Sequence, residues 1–398
     1  MKLSYPNYNK HTLKRVQQVL KSGRVNYWTG NECKEFEKQF SKYVGSKYAV
    51  TLSNGSVALE IALKALKLKK GDEIIVSPRS FIISASCVLN LGLKPIFADT
   101  DDNGNLNIDG IKKVYHKDIK AIIVVHLNGL SCDLDPILQL VKKNNIYLIE
   151  DCSQAHGAIY KGKKVGSFGH ISTWSFCQDK IISTAGEGGM ISTNDKKLWL
   201  KCWSLKDHGK NYKSVFYKKH ITGFKWLHDE LGSNYRMTEI QAVIGRAQLK
   251  LLDRQTKKRN FIANLYLNGL RDYFKKYNIF KKPDFKCQTC PLKLNSQKCG
   301  KCVHAFYRLN LFINKNKVKQ IKLIEQFNKN KIDCGVGSCP EIYREKIFKK
   351  LKFYPKKRLL TAKLLGETSI AFPINPNKNL KKINSEINSI KKILNNYI

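Results

Sequence analysis

Ile146-Tyr147-Leu148-Ile149-Glu150-Asp151-Cys152-Ser153-Gln154-Ala155-His156-Gly157 opens as a strand and closes as a polar turn. Short apolar runs of this kind read as buried strands, and here the run ends in two carboxylates. The pattern repeats on both sides of it. Further strand candidates lie at 48–52, 73–77, 95–98, 121–126, 171–176 and 189–193, with longer amphipathic helices at 56–68, 135–143 and 238–254. Strands interleaved with helices predict an α/β fold, a mainly parallel sheet covered on both faces. In such sheets ligands bind outside the carboxyl ends of the strands, which is where Glu150 and Asp151 fall. An acidic helix cap would explain the same two residues by itself.

Working outward, residues 9–22 read as a polar helix with Leu13, Val16, Val19 and Leu20 on one face. Beyond Asn268 the strand–helix alternation stops. A Lys-rich stretch is followed by a strand reading at 303–309 and helices at about 318–330 and 381–396. We therefore expect an N-terminal helical segment (1–24) packing with a small domain, a large domain (25–268), and a small C-terminal α+β domain (269–398). That last domain carries a Cys-rich insert at 287–302.

The chain has 398 residues and a formal net charge of +41. So large an excess can mark a nucleic-acid or membrane-surface partner. Against that, the basic residues are mostly Lys rather than Arg, and they are spread along the chain instead of massed in a tail. Fork-type phosphate and base contacts favour Arg. Compositional drift is the reading adopted, and no nucleic-acid partner is expected. The N-terminal residues lack the apolar core of a signal peptide, and no apolar run reaches the length of a membrane span. Twelve cysteines, mostly scattered singly, fit a reducing cytoplasm.

Three segments carry chemistry. Leu52-Ser53-Asn54-Gly55-Ser56-Val57 runs from a strand through Asn-Gly into a helix, presenting free amides and a hydroxyl where a phosphate could bind, although Asn-Gly-Ser is also an ordinary N-cap. The second is the acidic turn at Glu150-Asp151. The third is Lys180, between strand-like runs and followed by Ala185-Gly186-Glu187-Gly188-Gly189. A lysine and a carboxylate so placed suggest pyridoxal 5′-phosphate, with the amine forming a Schiff base and the carboxylate pairing with the protonated pyridine nitrogen.

The three together resemble the DegT/StrS-type sugar aminotransferases. Landmarks follow the family's order: Trp28-Thr29-Gly30, Phe36-Glu37, Ser53-Asn54-Gly55-Ser56, Gly71-Asp72-Glu73, Pro78-Arg79-Ser80-Phe81, and His126 with Gly129. Next come Glu150-Asp151 with Gln154, Gly166-Ser167-Phe168-Gly169, Ser175-Phe176 with Lys180, and Gly186-Glu187-Gly188-Gly189. Asp207-His208-Gly209, Asn234-Tyr235-Arg236-Met237-Thr238-Glu239 with Gln241, and His304-Ala305-Phe306-Tyr307 complete the set.

The resemblance implies a fold-type I pyridoxal phosphate transferase with a three-layer α/β/α large domain. It implies transamination of a nucleotide-linked keto sugar, with L-glutamate as amino donor, for surface polysaccharide or glycoconjugate synthesis. Lys180 would hold the cofactor and act as base, Asp151 would meet the ring nitrogen, and Gln154 would lie near the ring oxygen. Phe81 would stack on the ring, and Gly55, Ser56 and Ser175 would hold the phosphate. Asn234 and Arg236 would reach into a neighbouring subunit's site, making a homodimer with shared active sites. His170 stands where an aspartate is usual, and Ser56 where a threonine is usual. The related dehydratases carry histidine in place of this lysine, so the resemblance favours amination. A non-sugar ketone or cyclic precursor, or a vestigial basic zinc-bearing binding protein on the same scaffold, are the other readings.

Cys287-x2-Cys290 and Cys299-x2-Cys302 have the paired spacing of a four-cysteine zinc site. Four free thiols in a solvent loop would show the same spacing; if zinc binds, four thiolates leave no open position, so it would be structural.

Overall fold

The computed structural model describes residues 6–220, 222–281 and 301–398. Its centre is a seven-stranded sheet in the order β1-β9-β8-β5-β4-β2-β3. The strands are β1 (Tyr48–Leu52), β2 (Glu73–Val76), β3 (Lys94–Phe97), β4 (Ile119–Val125), β5 (Tyr147–Asp151), β8 (Ile171–Ser175) and β9 (Gly189–Thr193), with a small hairpin of β6 (Ile159–Tyr160) and β7 (Lys163–Lys164) between β5 and β8. The pairings from β8 through β5, β4 and β2 to β3 are parallel. Strand β9 is antiparallel to both β8 and β1, so β1 runs in the same direction as β8. The carboxyl ends of β1, β8, β5 and β2 therefore share one edge, and the site forms there.

The strands are apolar on both faces, as burial under two helical layers requires. Alternation along β5 sends Leu148 into one hydrophobic cluster and Ile149 into the other. The helices that position the site are α1 (Lys10–Lys21), α2 (Glu32–Val44), α3 (Gly55–Ala65) and α4 (Ile83–Asn90). Ala58, Leu59, Ala62 and Leu63 of α3 and Ala85 and Val88 of α4 cover the Ile149 face. Phe36, Phe40 and Val44 of α2 cover the Leu148 face.

The helix at Glu239–Gly269 begins with a capping box, Thr238 and Gln241 exchanging hydrogen bonds. It runs well past residue 254, where its pattern turns polar. Its buried face continues through Leu252, Thr256, Arg259 and Ile262, and the Arg259 guanidinium bonds the carbonyl oxygens of Phe306 and Ile374. Ile262, Ala263 and Tyr266 enter a further core, built around the antiparallel pair β10 (Arg308–Phe312) and β11 (Ser369–Pro373). The helix α1 lays Val16 and Val19 on Ile240, Val243 and Ile244, in the first turns of the 239–269 helix, and not on that further core, where the sequence reading set it. Strand β10 starts later than the 303–309 reading. The chain turns at Phe306, whose φ is +44°, after Ala305 N–H donates to Gly129 O.

Candidate active site

A cavity of about 530 Å³ opens at the shared strand edge, a size ordinary for a small-molecule site. Gly55, Ser56, Phe81, Asp151, Gln154, Ser175 and Lys180 all line it. Sequence reasoning grouped these seven from four separate stretches, and the fold brings them together.

One pole is the start of α3. Asn54 Oδ1 accepts from Val57 N–H at 2.9 Å, and Asn54 O accepts from Ala58 N–H. The Gly55 and Ser56 amides remain at the open end of the helix, where first-turn N–H groups have no intrahelical acceptor. Close packing holds this pole against β8 and β9. A Cβ on Gly55 would stand 2.7 Å from the Cβ of Ser175, and one on Gly189 would collide with the Asn54 carbonyl. Two serine hydroxyls and two amides thus meet at a helix N-terminus, a donor set suited to a phosphate dianion.

The opposite pole is the end of β5, where strand alternation divides two adjacent carboxylates. Glu150, fully buried, points to the Leu148 face. Its Oε1 accepts from the N–H groups of Phe168 (2.9 Å) and Gly169 (2.6 Å) and from Ser172 Oγ, and its Oε2 from Gly166 N–H (2.8 Å) and His126 Nε2 (3.0 Å). Burial pushes this acid up, but the hydrogen bond from His126 and those from the glycine amides outweigh it and hold the pKa below the ordinary value. His126 Nδ1 in turn accepts from Cys132 N–H. The ligand atoms of His126, Glu150 and Cys152 lie within 4.8 Å of one another, yet those of His126 and Glu150 are already spent on hydrogen bonds. This is a packing hub. Asp151 points the other way, into the cavity. Its Oδ2 accepts from Ser84 Oγ at 2.8 Å, and its Oδ1 from Ser153 N–H at 3.1 Å. Ser84 is held in turn by Ser80 Oγ at 2.8 Å.

Between the poles stands Lys180. Its Nζ lies 3.1 and 3.3 Å from the two carboxylate oxygens of Asp179, and 5.3 Å from the centre of the Tyr307 ring. Burial disfavours the charged amine, but Tyr307 and Asp179 outweigh it and raise the pKa above the usual lysine value. Phe81 borders the cavity with 68% of its surface exposed, free to stack on a planar ligand. Gln154 Oε1 accepts from Asn128 N–H at 2.9 Å.

Asn234 and Arg236 are not among the cavity's lining residues in the single chain. Arg236 Nη1 donates to the buried Asp207 at 2.8 Å, while Tyr235 O accepts from Ser53 N–H and ties this segment to the end of β1. Of the proposed zinc cysteines, Cys287, Cys290 and Cys299 lie outside the described residues, and only Cys302 is placed; its Sγ accepts from Lys161 N–H at 3.4 Å. Sequence reasoning missed Ser80, Ser84 and Asp179. Ser80 sits in a short bridge to Cys339 ahead of α4 and Ser84 in the first turn of that helix, and nothing local says which carboxylate they meet.

The donor set fits pyridoxal phosphate: hydroxyls and amides at one end, a buried carboxylate at the other, an amine between, and an exposed aromatic ring beside them.

Comparison with known proteins agrees. The profile of the DegT/DnrJ/EryC1/StrS aminotransferase family matches residues 6–391. GDP-perosamine synthase of Escherichia coli O157:H7 is 42% identical over 242 residues, 61% of this chain and 64% of that protein, so the match spans just under two thirds of the relative. An aminotransferase from Psychrobacter cryohalolentis superposes with a TM-score of 0.94 at 41% identity, covering 99% of both chains. PseC of Helicobacter pylori, an aminotransferase involved in the biosynthesis of pseudoaminic acid, gives 0.85 at 26% identity over 98% of both. The fold is that of the fold-type I pyridoxal phosphate aminotransferases.

Proposed function

The chain belongs to the DegT/DnrJ/EryC1/StrS aminotransferase family, and from that premise we propose that it is a pyridoxal phosphate enzyme converting a nucleotide-linked keto sugar to an amino sugar. We further propose L-glutamate as the donor, and surface polysaccharide or glycoconjugate synthesis as the destination of the product. The observation that carries this is the convergence of Lys180, Asp151 and the amino end of α3 on one cavity. The cofactor would supply a carbon that carries the amino group and a ring that draws electron density from it.

In this reading Lys180 holds the cofactor covalently and, once released, moves the proton between the two carbons of the exchange. Asp151, fixed by Ser84 and Ser153, holds a proton at the ring nitrogen. Gly55, Ser56 and Ser175 bind the phosphate, Phe81 stacks on the ring, and Gln154 meets its oxygen. The nucleotide-sugar substrate is supported by GDP-perosamine synthase, whose name states a GDP-linked amino sugar.

We also propose a homodimer with shared sites, to which Asn234 and Arg236 contribute. Phe224, Trp226 and Leu231, in the segment just before them, are 78%, 87% and 96% exposed in the single chain. Apolar side chains left so bare mark a surface that a partner covers. Light scattering that returns a monomer would remove this part of the proposal.

The central test mixes purified protein with pyridoxal phosphate and follows its visible absorbance, then supplies glutamate and a panel of nucleotide-linked keto sugars. Lys180→Ala should lose the covalent absorbance band and all turnover. Retention of the band by that variant would refute the assignment.

A further inference from the structure

Lys180 has an ion-pair partner in the residue before it. Both carboxylate oxygens of Asp179 lie within 3.3 Å of its Nζ. Asp179 is half-exposed and would swing freely unless anchored. Its anchor comes from far along the chain: Tyr307, immediately before β10, donates its hydroxyl to Asp179 Oδ2. Arg308 Nη2 stands 3.4 Å from that same hydroxyl oxygen, and its guanidinium lies 5.0 Å from the Tyr307 ring centre. The Tyr307 hydroxyl thus braces a carboxylate that in turn holds the amine, and the Arg308 guanidinium steadies that hydroxyl.

We propose that Asp179, braced by Tyr307 and Arg308, is a positioning residue that receives the Lys180 ammonium whenever that side chain is not joined to the cofactor. This rests on Lys180 being the cofactor lysine, as above. The mechanism needs such a place. A released lysine on a flexible stem loses its aim, and each lost rotamer restored by a fixed partner keeps the amine near the reacting atoms. The charges around the pair are consistent with this role. Asp179 is pushed up by burial but held below its ordinary value by Lys180 and Tyr307, and Lys180 is raised as described. The other titratable groups near the amine are Cys177 on its own loop and His156, while Asp151 and Glu187 line the same cavity, Glu187 beside Cys177. Burial holds His156 neutral, at a pKa of about 3. That leaves Asp179 as the nearest anion to the amine among the described residues.

The test reads Lys180 directly in cofactor-free protein. The rate of amine labelling at Lys180 is followed against pH by peptide mass spectrometry, in parent, Asp179→Asn and Tyr307→Phe. Removing an opposite charge at this distance should lower the midpoint of labelling by about one pH unit or more in Asp179→Asn. Tyr307→Phe, which keeps the ring and drops only the hydroxyl, should move it in the same direction by less. An unchanged labelling midpoint in Asp179→Asn overturns the proposal. If the parent binds no pyridoxal phosphate at all, it is the functional reading that has failed, and the labelling result still stands separately.

Discussion

Replacing Glu150 with glutamine should unfold this protein more readily, while replacing its neighbour Asp151 with asparagine should not. Glu150 accepts from three backbone amides, a serine hydroxyl and His126, and all of it is buried. A glutamine of the same shape puts an NH2 where one oxygen was. If that is Oε2, Gly166 N–H and His126 Nε2 face a donor; if Oε1, Phe168 and Gly169 do. Either orientation orphans two buried donors, at about 1–3 kcal/mol each, or about 2–6 kcal/mol in all. In urea, with a slope of about 3 kcal/mol/M, the midpoint should fall by roughly 0.7–2 M. The acid's pKa is lowered in the fold, so its contribution is present above the unfolded value and lost as pH falls through the folded one. Parent and variant should therefore converge in acid. Asp151→Asn can keep both contacts, accepting from Ser153 N–H and donating to Ser84, whose hydroxyl can turn toward Ser80. It should stay within about 1 kcal/mol of the parent and lose cofactor-dependent turnover. Urea curves of Glu150→Gln lying within about 0.5 kcal/mol of the parent at neutral pH would refute this division of labour.

Three further outcomes can be checked. Gly55→Ala should weaken pyridoxal phosphate binding by roughly tenfold to a hundredfold in a fluorescence titration, since its Cβ would press on Ser175 and overpacking costs about 1–3 kcal/mol; an unchanged affinity would mean the α3–β8 contact does not shape the phosphate pole. Glu239→Ala should lower stability by about 1–2 kcal/mol in thermal melts, because its carboxylate accepts the Glu32 and Cys33 amides at the start of α2. His156, pushed down to about 3 by burial with Lys180 and Arg259 adding to the effect, binds its proton more readily in the unfolded chain. Stability is therefore lost as pH drops below the ordinary histidine value toward 3. His156→Phe, fitting between Trp174 and Phe176, should spare about 2 kcal/mol of that loss between pH 7 and 5. Equal acid sensitivity in the two proteins would place the loss elsewhere.

Much of the fold could be read locally. The strands expected at 48–52 and 189–193 match β1 and β9 residue for residue, and the other sheet strands shift by only a residue or two. Hydrophobic period, Asn54 as a cap and the Thr238–Gln241 box are signals that need only neighbouring residues. The helix α2 gave no such signal: Asn31 makes no capping bond, and the acceptor is Glu239, more than two hundred positions away. The helix read as 238–254 runs on to Gly269, and its buried Arg259 is accommodated because two distant carbonyls receive it.

The sequence by itself determined the α/β alternation, the phosphate-type turn at Asn54-Gly55-Ser56, and the candidacy of Lys180 and an acid at the end of β5. These follow from short-range rules of period, turn chemistry and strand termini. Those rules leave Glu150 and Asp151 undivided; the family resemblance pointed to Asp151, and the tertiary structure supplies the packing that turns that carboxylate to the cavity. It alone joined Tyr307 to Asp179 across 128 positions, beside the lysine. Contacts of that span depend on how whole layers dock, and no local pattern in the chain encodes them.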